Sequence, residues 1–186
     1  MLSQADGQAL CRYARAAIAA ALGGQPAVPP QGPAFQYDAA CFVTLYRGDE
    51  LHGCIGSLEA HRPLLEDVAD NAVSAALRDP RNTPLSLGDE QALRVEVSLL
   101  SPLSRLPVHS RAEAIAALRP GIDGVVLRYQ GRRGTFLPQV WAELPTPAEF
   151  WQQLLRKAGL PADFDRPELH VYRYTVEKWI EEPCRP

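Results

Sequence analysis

Leu51-His52-Gly53-Cys54-Ile55-Gly56 is the stretch on which the interpretation of this chain turns. It follows an apolar run, Cys41-Phe42-Val43-Thr44-Leu45-Tyr46, and a turn at Arg47-Gly48-Asp49-Glu50. Cys41 to Leu58 therefore reads as a β-hairpin with the hexapeptide on its second strand. Glycine costs backbone entropy and packs no side chain, so two glycines around a cysteine mark a bulge or a close approach of other backbone. In an extended chain residues two apart face the same way. His52, Cys54 and Gly56 are expected on one face, and Leu51, Gly53 and Ile55 on the other. The expected result is a thiol beside an imidazole, with open space at Gly56.

Ahead of the hairpin, Ser3 to Leu22 reads as a helix. Ser3 and Asp6 form a capping box, and Leu10, Ala14, Ala17, Ile18 and Ala21 recur at helical spacing. Pro26 to Pro33 is a proline-rich connector. After the hairpin, Pro63 opens a second helix, with Glu66 and Asp67 in the first turn, where the helix dipole favours them. Its expected buried stripe is Leu65, Val68, Ala69, Ala72, Val73 and Ala76, and Asp79-Pro80 ends it.

Further on, Leu93, Val95, Val97 and Leu99 alternate with polar residues, a half-buried strand. Arg111 to Leu118 is a short helix. Gly124 to Tyr129 and Gly134 to Leu137 form a second hairpin, and Pro147 to Gly159 a third amphipathic helix. Leu169 to Trp179 reads as one closing strand. Hairpin-then-helix thus occurs twice, at 41–79 and 121–160. Sliding the turn glycines Gly48 and Gly131 onto each other puts Cys54 on Leu137. The fold class expected is α+β: a mixed, largely antiparallel sheet with three to four helices in two lobes, and a possible duplicated hairpin-helix unit.

With 186 residues, 46% hydrophobic and 22% charged, the chain has the makings of one domain, in one or two lobes, with a sizeable core. A net charge of −3 and the lack of any long basic run give no electrostatic drive toward nucleic acid or an anionic membrane. No apolar run approaches a membrane span. Arg12 and Arg15 interrupt the Ala-rich opening segment where a signal peptide would be apolar. Cys11, Cys41, Cys54 and Cys184 have no paired spacing, so reduced thiols in a cytoplasmic protein are expected.

The hexapeptide resembles the Leu-Arg-Gly-Cys-Ile-Gly signature of the AMME chromosomal region protein (AMMECR) family. Asp79-Pro80-Arg81 with Pro84-Leu85, Val95 to Pro102, Gly121 to Val140 (with Gly134-Thr135-Phe136-Leu137-Pro138-Gln139) and Lys157-Ala158-Gly159-Leu160 are similar to further motifs of that family, in the same order. The resemblance implies a cytoplasmic two-lobed α+β domain. It also implies a component of an AmmeMemoRadiSam set, whose partners would be a Memo-like protein and a radical SAM protein. The chain departs from the family pattern with His52 in place of arginine, Asn82 in place of an aromatic residue and Asp163 in place of tryptophan.

Two interpretations of the site follow. In one, Cys54 is packed, and the chain binds a small-molecule ligand or a partner beside Gly53, Ile55 and Gly56. Glu96 then lines the same cleft, and Asn71, Asp79 and Arg81 are further candidate binding residues, set against a structural hydrogen bond for Asn71 and a cap and ion pair at a helix end for Asp79 and Arg81. In the other, Cys54 is a nucleophile or carrier with His52 as base or thiolate stabiliser. No metal site is expected, since His52, Cys54 and His61 lack a second Cys or His pair at ligand spacing. No phosphate-binding loop, nucleophile elbow or cluster-binding cysteine motif is present, so no cofactor is expected.

Overall fold

A computed structural model describes residues 2–182; Cys184 lies outside the described residues. The chain divides into two compact units. One runs to Leu100 and resumes at Glu177, and the other is Ser101–Val176.

In the first unit the Ser3 side chain accepts the Asp6 N–H (3.2 Å) while the Asp6 carboxylate accepts the Ser3 N–H (3.0 Å). This reciprocal cap starts α1, Gln4–Ala21. A hairpin follows, β1 (Ala40–Arg47) and β2 (Glu50–Gly56), then α2 (Leu64–Leu77) and β3 (Leu93–Leu100). The last strand of this unit, β8 (Val176–Ile180), completes a sheet in the order β2-β1-β3-β8. Strand alternation sends Cys41, Val43, Leu45, Val95, Val97 and Trp179 into a core with Leu10, Ile18, Leu64 and Val68 of the two helices. Phe42, Thr44, Tyr46, Glu96 and Ser98 face the other way. Trp179 lies so close to α1 that a Cβ on Gly7 would stand 2.1 Å from its ring.

The buried stripe of α2 differs from the apolar pattern. Leu64, Asp67, Val68, Asn71, Ala72, Ala75 and Ala76 are buried, whereas Leu65, Ala69 and Val73 are only partly so. Two polar side chains go inside because the sheet supplies partners for them. Asp67 accepts the Cys41 N–H (2.9 Å), the Ser57 hydroxyl (2.7 Å), Arg62 Nε (2.7 Å) and Asn71 Nδ2 (2.9 Å). A carboxylate with every lone pair engaged can be buried without an outstanding desolvation cost. Asp67 therefore ties the helix to the sheet, beyond any favourable interaction with the helix dipole.

The second unit contains β4 (Ser104–Leu106), α3 (Arg111–Ala117), β5 (Gly124–Tyr129), β6 (Arg132–Phe136), α4 (Pro147–Lys157) and β7 (His170–Tyr174). Its sheet order is β4-β7-β5-β6. Phe150, Trp151, Leu154 and Leu155 of α4 pack on Val125, Leu127 and Val171, and Trp141 stacks on Phe150 at a centroid distance of 3.8 Å. The fold is α+β with two antiparallel four-stranded sheets.

Leu169 to Trp179 is not one strand. Thr175 breaks it, donating its N–H to Ser101 Oγ (2.9 Å) while its carbonyl accepts the Ser101 N–H (2.9 Å). β7 and β8 thereby belong to different sheets. A turn residue with no Gly or Pro gives no local sign of such a switch.

The two hairpins repeat one device. In the first, Leu45 pairs with Gly53; in the second, Leu127 pairs with Gly134. Each glycine lies against the following helix: a Cβ would stand 2.2 Å from Ala75 O in one case and 2.9 Å from Ala158 Cβ in the other. Aligned on this pair, Cys54 corresponds to Thr135 and not to Leu137. The extra residue of a bulge in β2 and the different turn phase account for the offset.

Candidate functional site

β2 is an edge strand, and its outward backbone groups at Cys54 are occupied by side chains. Asp79 Oδ2 accepts the Cys54 N–H at 3.0 Å, and Arg81 Nη2 donates to Cys54 O at 2.9 Å. Arg81 also donates to both oxygens of Asp79, at 2.9 Å and 2.6 Å. The Asp79-Pro80-Arg81 step thus acts as a short substitute strand along β2, holding Cys54 in place and closing the edge against further pairing. Hydrogen bonding by Arg81, against the opposing effect of burial, holds the Asp79 carboxyl well below the usual carboxylate range. A depressed folded-state pKa contributes stability above the unfolded value near 4, and that contribution is lost as pH falls. Asp79→Asn is expected to be less stable than the parent by about 2 kcal/mol at pH 7. The gap should narrow as pH falls below about 5 and close only in stronger acid, as pH passes the depressed folded-state pKa. Denaturant titrations across that range check it, and parallel pH profiles for the two proteins would exclude the assignment.

Cys54 is partly exposed, and its thiol accepts a hydrogen bond from Thr44 Oγ1 at 3.3 Å. Thr44 is the cross-strand partner of Cys54 on one side and of Glu96 on the other. Glu96, itself buried, accepts from Lys178 Nζ at 3.2 Å and from Ser98 Oγ at 3.3 Å. A continuous polar row, Cys54–Thr44–Glu96–Lys178, therefore crosses all four strands of the first sheet on the face away from its helices. Tyr46 lies beside it under the Arg94 guanidinium (5.3 Å from the ring centroid). Burial, and after it the charge of Glu96, pushes its phenol pKa up.

His52 does not join the row by hydrogen bonding. The register slips between Leu45 and Tyr46, which makes His52 the inserted residue of a β-bulge and ends the simple alternation expected around Cys54. Its Nε2 is buried without a partner among the described residues. Burial, then the nearby Arg47, lowers its pKa, leaving the imidazole neutral at pH 7. Arg81 is instead the cation beside Cys54.

The glycines serve packing. The space at Gly53 is taken by α2, as described above, and a Cβ on Gly56 would stand 2.3 Å from the Phe42 ring and 2.6 Å from Cys41 O. The open space expected at Gly56 is thus filled by Phe42. Ile55 packs against the first core. Asn71 lies on the helix side of the sheet, where its Nδ2 donates to Cys41 O (3.1 Å) and Asp67 (2.9 Å), away from the Cys54 face. Of the candidate residues, Cys54, Asp79 and Arg81 are in direct contact, and Glu96 is joined to them only through Thr44.

Thr44 and Lys178 were missing from the sequence-based set. Thr44 carried a weak signal, as the polar residue in an otherwise apolar run. Lys178 carried none, because only long-range strand pairing brings it to Glu96.

The AMMECR1 family model matches residues 11–179. Protein MJ0810 of Methanocaldococcus jannaschii is 37% identical over 97% of this chain and 92% of its own length. A protein of Methanothermobacter thermautotrophicus is 38% identical over 97% of each chain. Among solved structures, the uncharacterized protein PH0010 of Pyrococcus horikoshii matches with a TM-score of 0.80 at 32% identity, covering 97% of this chain and 94% of that one. Among the described residues no helix is long and apolar enough to cross a membrane.

Proposed function

Since this chain belongs to the AMMECR1 family, we propose that it is a cytoplasmic binding component of a modification pathway, working with a Memo-like protein and a radical SAM protein. The polar row at Cys54 is its recognition site for a small-molecule ligand or partner segment. One observation carries this. The groups of the row are already satisfied by one another, Thr44 on the thiol and Lys178 and Ser98 on Glu96. Held in this way, the buried Thr44 and Glu96 fix the partly exposed Cys54 and the exposed Lys178 at two ends of the row, a preorganised arrangement suited to recognition. The test is co-purification of the tagged chain with the two partners, together with pathway turnover in cells. Cys54→Ser should retain both within a few-fold. Failure of either partner to co-purify with the parent would overturn the proposal.

A second interpretation, a thiol-dependent enzyme, is favoured by one specific observation: of the three described thiols, Cys54 alone is partly exposed. Cys11 and Cys41 are buried. Burial pushes the Cys11 pKa up to about 12 and raises that of Cys41 well above the ordinary thiol value. At pH 8 a thiol with that pKa is ionised to roughly one part in ten thousand. Iodoacetamide should therefore modify Cys54 at least ~100-fold faster than Cys11 or Cys41, as read by peptide mapping. Comparable rates at all three would remove the basis for thiol chemistry. Loss of turnover in Cys54→Ser with co-purification intact would favour the enzyme over the binding component.

A further inference from the structure

We infer that the second unit holds one structural water molecule between α3, α4 and the segment around Asp165. Trp151, on α4, is wholly buried, and its indole Nε1–H finds no acceptor among the described residues. Arg111 Nε, at the start of α3, is likewise buried without a partner. Both side chains line the same small cavity, together with Ser110, Phe164, Asp165 and Leu169. Indole and guanidinium N–H groups can only donate, so the occupant is a hydrogen-bond acceptor. Buried donors in folded proteins are almost always matched, by protein or by ordered water.

The size of the cavity identifies the acceptor. It encloses about 10 Å³, room for a single water and for no organic ligand. Asp165 disfavours an anion there and suits a water, whose own protons need acceptors. Its Oδ1 already accepts the Arg111 N–H at 2.8 Å, which fastens the segment to α3. The water then accepts from Trp151 and Arg111 and donates toward Asp165, joining α4, α3 and the following loop through one oxygen.

The indole protons provide the test. In NOE and ROE spectra recorded against the water resonance, the Trp151 Hε1 should show cross peaks of opposite sign, the signature of a long-lived bound water. Trp141 is the internal control, since its Nε1 already donates to Asp123 O at 2.8 Å. Trp151→Phe assigns the resonance. A crystal structure fine enough to show solvent should place one oxygen within hydrogen-bond distance of both nitrogens. Absence of the water cross peak at Trp151, a halide in the density, or protein acceptors on both donors would overturn the inference.

Discussion

Asp67→Ala is expected to lower the stability of this protein by about 3–5 kcal/mol, the effect of leaving a buried, hydrogen-bonded ionic cluster without its centre. The carboxylate is wholly buried, and each of its oxygens accepts two hydrogen bonds. Alanine would strand the Cys41 N–H at the start of β1 and the Asn71 amide inside the core, and would release Arg62 from its better partner. Asp70, one turn further along α2, provides the contrast. It also pairs with Arg62, and with Arg78, but its side chain is 48% exposed. Asp70→Ala should therefore cost less than about 1 kcal/mol. Guanidinium unfolding of the two variants separates them, and equal losses would mean that Asp67 is not the fastening point described here.

Gly53→Ala is expected to cost about 3 kcal/mol, at the upper end for overpacking, because the obstacle is backbone and not a yielding side chain. The added methyl would stand 2.2 Å from the Ala75 carbonyl oxygen, so α2 and β2 would have to separate. The same displacement would carry Asp79, just beyond the end of α2, away from Cys54. The variant should thus show faster alkylation of Cys54 as well as lower stability. Gly48→Ala is the control: its φ of 62° opposes a side chain, yet nothing lies within 4 Å of an added Cβ. It should lose only about 1 kcal/mol, with no change at the thiol. A Gly53→Ala protein as stable as Gly48→Ala would contradict the close helix–strand contact.

Much of the secondary structure was legible because it rests on local chemistry. The Ser3–Asp6 cap, the strand at Leu93 to Leu99 and the apolar stripe of α4 are each written within a few residues, although β3 is buried on both faces, Glu96 and Ser98 included, and not half-buried as its alternation suggests. The site was legible only in part. Cys54, Asp79, Arg81 and Glu96 were among the candidates; the structure puts the first three in contact and reaches Glu96 only through Thr44. The open space expected at Gly56 and the simple alternation expected at His52 did not hold. Phe42 occupies the space beside Gly56, and the bulge breaks the alternation at His52. Neither the identity of a packing neighbour nor the insertion of one residue against a partner strand has a signature inside the hexapeptide.

By itself the sequence determined the α+β class, the hairpin-helix repetition and the glycine-flanked cysteine at its centre. These follow from capping, from periods of 3.6 and 2, and from turn residues, all interactions over short chain distances. The tertiary structure alone decided which polar side chains could be buried, where the closing strand divides, and what faces Cys54. Asp67 goes inside because Cys41, Ser57 and Arg62 meet it there. Lys178 joins the polar row because β8 returns to the first sheet after the chain has passed through the second. Each of these depends on partners brought together by strand pairing and packing, whose free energy is set by the assembled neighbours and not by any one segment.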